Sequence, residues 1–190
     1  MTEFETKDFW KALILYGLNQ ATYKIALGKT LFKLCDQGYT DVPWDVLSKE
    51  FLQQYINRLT AGEAMPQQSI PARRTRMEQI VSAIKSDKLS VDGAISEVGE
   101  TAFGDVIHRF HNLGRDESFQ GMFYRFDFGK SLTLTDELQK LYKRVAMNWK
   151  TNSMRAGVSW KARFVYARAI TSSLTICGSY ISKAGMTERI

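Results

Sequence analysis

The chain has 190 residues, 44% of them apolar and 24% charged, a composition of folded globular domains that excludes disorder for most of its length. Its two cysteines, Cys35 and Cys177, are too few for a disulfide framework and have no C-x-x-C spacing for zinc. The net charge of +6 is unevenly placed: residues 1–137 hold 16 basic and 19 acidic side chains, whereas residues 138–190 hold 10 basic ones against Glu188 alone.

Residues 1–60 read as a three-helix N-terminal part. Phe9, Trp10, Leu13, Ile14 and Gly17 recur at the three- and four-residue spacing of an amphipathic helix, and Gly17 with Asn19 breaks it before the next. The second helix is expected over about 20–37, with Tyr23, Leu27, Leu31, Leu34 and Cys35 along one side and Gly38 as terminator. Thr40, Asp41 and Pro43 are residue types at home around a first turn, so they open the third, which carries Trp44, Leu47, Phe51, Leu52, Tyr55 and Leu59.

Gly62, Pro66 and Pro71 make residues 61–76 an exposed loop, basic at its end through Arg73, Arg74 and Arg76. Residues 77–190 are expected to be helical again. Met77, Ile80, Val81 and Ile84 form the stripe of a fourth helix, Ser90 caps a fifth reaching about Val98, and a sixth covers 105–113 before Gly114. Only residues 122–134 have strand character, as a hairpin of aromatic and threonine-rich arms around Phe128, Gly129 and Lys130. Thr135 is the N-cap of a helix continuing to about Trp149, with Asp136 and Glu137 where the helix dipole favours negative charge. Another helix is expected over 153–171, and 172–190 reads equally as strand or short helix. The expected fold class is mainly α, a multi-helix domain with one small β-hairpin, compact as a whole.

No stretch approaches the roughly 18 apolar residues of a membrane span. The acidic N-terminus is unlike a secretory leader, and sparse cysteine suits a reducing compartment. A cytoplasmic protein without a membrane partner is expected.

The C-terminal charge is the main functional lead. Lys140, Lys143, Arg144 and Lys150 gather on one face of the helix after Thr135, and Arg155, Lys161, Arg163 and Arg168 follow on the next. A row of bases nearly free of acid neutralises phosphates and releases counterions, the term that dominates non-specific nucleic-acid affinity. Trp149, Trp160 and Tyr166 lie nearby for base stacking if exposed. Arg73, Arg74 and Arg76 are a smaller basic cluster. Solvated charge, or an acidic protein partner, accounts for the same residues. His108 and His111, at i and i+3, are a weak metal pair: Glu97, Glu100 and Asp105 are the nearby carboxylates, but a catalytic zinc needs three convergent ligands, so a structural role is favoured. No nucleophile elbow, P-loop, dinucleotide fingerprint or H-E-x-x-H is present. No cofactor is expected.

Four stretches taken together carry a resemblance. Phe9-Trp10-x-Ala12-Leu13 with Asn19-x-x-Thr22-Tyr23-Lys24-x-Ala26-Leu27, then Val106-Ile107-His108-Arg109-Phe110-His111, then Leu132-Thr133-Leu134-Thr135-Asp136-Glu137-Leu138, and finally Ala162-Arg163-Phe164 resemble the helical N-terminal region of prokaryotic HNH-endonuclease-like proteins of restriction and phage defence. In such proteins the nuclease chemistry belongs to a C-terminal module with histidines in a metal-binding element. This sequence has no histidine after His111, so no catalytic residue carries over. The resemblance implies target engagement or assembly. The expected function is therefore a nucleic-acid-binding subunit, not catalytic on its own, meeting DNA ahead of RNA and acting beside an effector protein or as a homo-oligomer. A protein-interaction subunit docking an acidic partner is the alternative, and a metal-dependent nuclease centred on His108 and His111 a distant third.

Overall fold

The computed structural model describes residues 5–15, 22–60, 74–113 and 119–155. The chain divides into two compact units, Met1–Lys143 and Arg144–Ile190. The first is mostly helical with a small antiparallel sheet: α1 (Thr6–Leu15), α2 (Tyr23–Asp36), β1 (Asp41–Pro43), α3 (Trp44–Thr60), α4 (Arg76–Lys85), α5 (Val91–Glu97), a π-helical turn (Val98–Ala102), α6 (Phe103–Arg109), β2 (Tyr124–Asp127) and β3 (Ser131–Leu134). Helix α7 (Asp136–Arg155) begins in the first unit and supplies the described part of the second.

The amphipathic stripes read from the sequence are the core. Leu27, Leu31 and Leu34 of α2, Leu47, Phe51, Leu52 and Tyr55 of α3, and Met77, Ile80 and Val81 of α4 are all buried. Each such large side chain removed from water stabilises the fold by roughly 1.5–3 kcal/mol before entropy is charged against it. Helix α2 stops where Gly38, at φ +82°, takes the left-handed conformation that costs glycine nothing. Its N–H then reaches the Cys35 carbonyl at 3.1 Å and Tyr39 N–H reaches that of Leu34 at 3.1 Å, the paired bonds of a Schellman ending.

The sheet corrects the expected start of α3. Asp41, Val42 and Pro43 are a strand, not a first helical turn, and pair antiparallel with Thr133, Leu132 and Ser131. The single hairpin thereby becomes a three-stranded sheet in the order β1-β3-β2. Proline is tolerated there because β1 is an edge strand. Alternation decides the faces: Val42, Leu132, Leu134 and Tyr124 point inward, while Thr133 lies exposed and donates to Asp41 Oδ1 at 2.6 Å.

Caps set the other boundaries. Ser90 and Thr135 accept from Gly93 and Leu138 N–H at 3.1 and 3.4 Å, as expected of N-caps. Thr75 and Glu78 form a reciprocal capping box that starts α4 at Arg76. That places Arg76 on a helix and not in the loop; residues 61–73 lie outside those described. Helix α6 closes at Arg109, short of the expected Leu113. Helix α7 runs past Trp149 and absorbs the first residues of the helix expected over 153–171, the rest of which, with 172–190, lies outside the described residues.

Three consecutive residues of the Asn-x-x-Thr-Tyr-Lys element tie α2 to three different places. Thr22 Oγ1 meets Tyr55 Oη of α3 at 3.3 Å, Tyr23 Oη accepts from Met77 N–H at the start of α4 at 3.3 Å, and Lys24 Nζ donates to the Asn112 carbonyl beyond α6 at 2.8 Å. The Thr22-Tyr23-Lys24 run works, in this fold, as an interior polar lock.

Candidate functional site

Helix α7 is amphipathic. Leu138 and Leu141 are buried, whereas Lys140, Lys143, Arg144 and Met147 are exposed. At about 100° per residue, Lys140 and Lys143 lie about 60° apart on the helix circumference, on the side away from Leu138. The side chains of Lys150, Arg155 and Trp149 are not among those described, and Lys161, Arg163, Arg168, Trp160 and Tyr166 lie outside the described residues. Lys140 is engaged by Glu137 at 3.0 Å, a pair that raises the lysine pKa and lowers that of the carboxyl, while Glu137 also accepts from Thr6 at 2.9 Å. The first base of the row is therefore already neutralised locally. Past Glu137 the helix carries no acid up to Arg155.

The second basic cluster is dispersed. Arg76 pairs with Glu97 at 2.7 Å and bonds Gln79 at 3.2 Å, Arg74 is exposed, and Arg73 lies outside the described residues.

The two histidines do not share a helical face, because α6 ends between them. His108 is exposed, its ring stacked on Phe128 at 5.9 Å and edge-on to Phe126 at 4.9 Å. His111 is 1% exposed and packs against Tyr124 at 4.5 Å and parallel to Phe123. Its Nε2 accepts the Phe123 N–H at 3.3 Å, which puts the proton on Nδ1, and that atom is buried without a partner. Burial, with the charge of Lys24 added, lowers the imidazole pKa to about 4; burial alone lowers Lys24 to about 8. The carboxylates offered as further metal ligands are engaged elsewhere, Glu97 with Arg76, Asp105 with Arg109 at 3.1 Å, and Glu100 with the Ser96 hydroxyl at 3.1 Å. Among the described residues no group of three or more His, Cys, Asp or Glu is placed to hold a metal. The metal-dependent nuclease reading loses its centre, since one histidine is a core residue and the other an aromatic neighbour.

A surface feature missed by the sequence reading lies at the tip of the hairpin. Phe128, 42% exposed, packs against Trp44 at 4.8 Å beside a groove of about 760 Å³. The groove runs between the first turn of α3, the α5 to π-helical segment and the hairpin turn. Trp44 Nε1 donates to the Gly99 carbonyl in the π-helical turn at 2.9 Å. A methyl group at Gly99 would sit 2.9 Å from Ser48 Oγ and 3.1 Å from the indole, so any larger residue here requires Ser48 to turn and the indole to give way. π-Helical turns inside α-helices recur at functional sites. The signal was present in the sequence: an aromatic beside the glycine of a hairpin turn has little interior to enter.

The chain matches no protein-family model, no curated protein and no solved structure. No helix among the described residues is long and apolar enough to cross a membrane.

Proposed function

We propose that this chain is a nucleic-acid-binding subunit of a prokaryotic restriction or phage-defence assembly, gripping the phosphate backbone through the basic face of α7 and the bases that follow it. One observation carries the reading: Leu138 and Leu141 of α7 are buried while Lys143 is exposed, on a helix that carries no acid beyond Glu137. Lys150, Arg155, Lys161, Arg163 and Arg168 extend the row in sequence. Backbone contacts of this kind position a protein on nucleic acid and read no bases. Duplex DNA is the proposed target ahead of RNA, and chemistry on it belongs to a separate effector.

The test is binding to a labelled DNA duplex and an RNA of matched length across a salt series. Affinity is expected to fall steeply with salt, and Lys143→Glu with Arg144→Glu to reduce the log–log slope by about 2, close to 0.9 per lost phosphate contact. Absence of binding at low salt, or a slope untouched by the double reversal, would overturn the proposal.

A further inference from the structure

We infer that the groove beside Phe128 is a docking site for an arginine-bearing peptide segment of a partner protein. The inference stands apart from α7.

Phe128 is one of few large apolar side chains left open on the described surface, and it is held from two sides by Trp44 and by His108, whose ring lies within 16° of parallel. A ring already fixed in place loses little freedom when a ligand stacks on it. The groove it overlooks has the size of a ligand pocket, too large for one ion and suited to several side chains, and half-buried Val46 and Ile95 give it apolar wall.

Its charge selects the occupant. Asp45, Asp92 and Glu100 line the groove together with Lys49 and Lys130. Lys130 is taken by Asp127 at 2.8 Å, Asp45 and Asp92 have no ion-pair partner among the described residues, and Glu100 accepts only from Ser96. Lys49 is likewise without an ion-pair partner among the described residues, so the unmatched groups are three carboxylates against one lysine, around an exposed aromatic face. The excess of acid over base disfavours phosphate, which sets the groove apart from a nucleic-acid surface. Guanidinium meets both features at once, stacking on the ring and giving forked hydrogen bonds to a carboxylate, which an ammonium does not do.

The experiment uses the full chain, labelled with ¹⁵N, and the probe acetyl-Leu-Arg-Ala-Arg-Leu-amide. The Trp44 indole and Gly129 amide resonances are expected to shift on titration, and a peptide with citrulline at both arginines to bind at least about tenfold more weakly. Asp92→Asn with Glu100→Gln, both exposed, is expected to weaken the arginine peptide by a similar factor with the rest of the spectrum unchanged. Phe128→Ala is expected to do the same. Lys143→Glu with Arg144→Glu is expected to leave peptide binding as it was, so failure of the α7 proposal and failure of this one are read separately. Equal binding of the citrulline peptide, equal affinity for spermidine at these resonances, their displacement by a DNA duplex instead, or no shift at millimolar peptide would each overturn the inference.

Discussion

Lys24 of α2 and Lys143 of α7 are the same side chain in opposite surroundings. Lys24 is 3% exposed, donates to a backbone carbonyl and lies close enough to His111 to oppose its protonation. Lys143 stands on the outer face of a helix whose inner face is leucine. Both belong to stretches that sequence reasoning singled out, one through a family resemblance and one through charge. A cation in the interior spends its hydrogen bonds on the fold and is held at a cost in desolvation; an exposed one leaves stability nearly untouched and is available to a partner. The first region is thus where substitutions and pH act on folding, and the second is where they act on the proposed binding.

The sharpest way to break this contrast is to open the interior wall. Phe110 is fully buried and packs against Trp10, His111 and Tyr124. Phe110→Ala is expected to cost about 3–5 kcal/mol in denaturant unfolding and to move the His111 pKa back toward its ordinary value by NMR titration. Acid comes next. His111 is neutral in the folded chain down to about pH 4, whereas in the unfolded chain it takes its proton near 6.5. Stability is therefore complete above 6.5 and falls as pH drops through that window, by about 3 kcal/mol from this group. His111→Leu is expected to flatten that part of the stability curve, read as the difference from wild type at each pH.

Lys24 has the same sign in an alkaline window. Its folded pKa of about 8 lies below the ordinary 10.5, so the unfolded chain holds the proton longer and stability rises between those values, on the order of 2 kcal/mol. Lys24→Met is expected to abolish the rise, measured by thermal unfolding between pH 7.5 and 10.5. The smallest effect on folding is the outermost one. Lys143→Glu with Arg144→Glu is expected to change unfolding free energy by no more than about 0.5 kcal/mol while changing nucleic-acid binding. A large loss of stability there would show that α7 uses its bases for packing and would erase the distinction.

Most helices were legible because burial imposes a period. Leu27, Leu31 and Leu34 or Met77, Ile80 and Val81 repeat at helical spacing, and Gly38, Ser90 and Thr135 are local signals whose geometry needs no distant partner. Thr75 with Glu78 is a local signal of the same kind, a capping box at the end of the loop. Asp41, Val42 and Pro43 were not legible as a strand, since three residues carry no period and become a strand only when β3 comes alongside, 90 residues later. The histidines failed for a related reason: spacing of i and i+3 implies one face only while a helix continues, and α6 stops at Arg109. The groove beside Phe128 escaped detection because its walls come from three distant segments.

By itself the sequence determined which residues enter the core, where several helices start and stop, and that the positive charge gathers after Glu137. Those properties follow from side-chain chemistry and from neighbours within about one helical turn. Only the tertiary structure decided that Thr22, Tyr23 and Lys24 lock α2 to three other places, that His111 is interior while His108 is not, and that Asp45, Asp92 and Glu100 share a groove with an exposed ring. Burial and pairing are properties of what long-range packing brings next to a residue, and no local pattern states them.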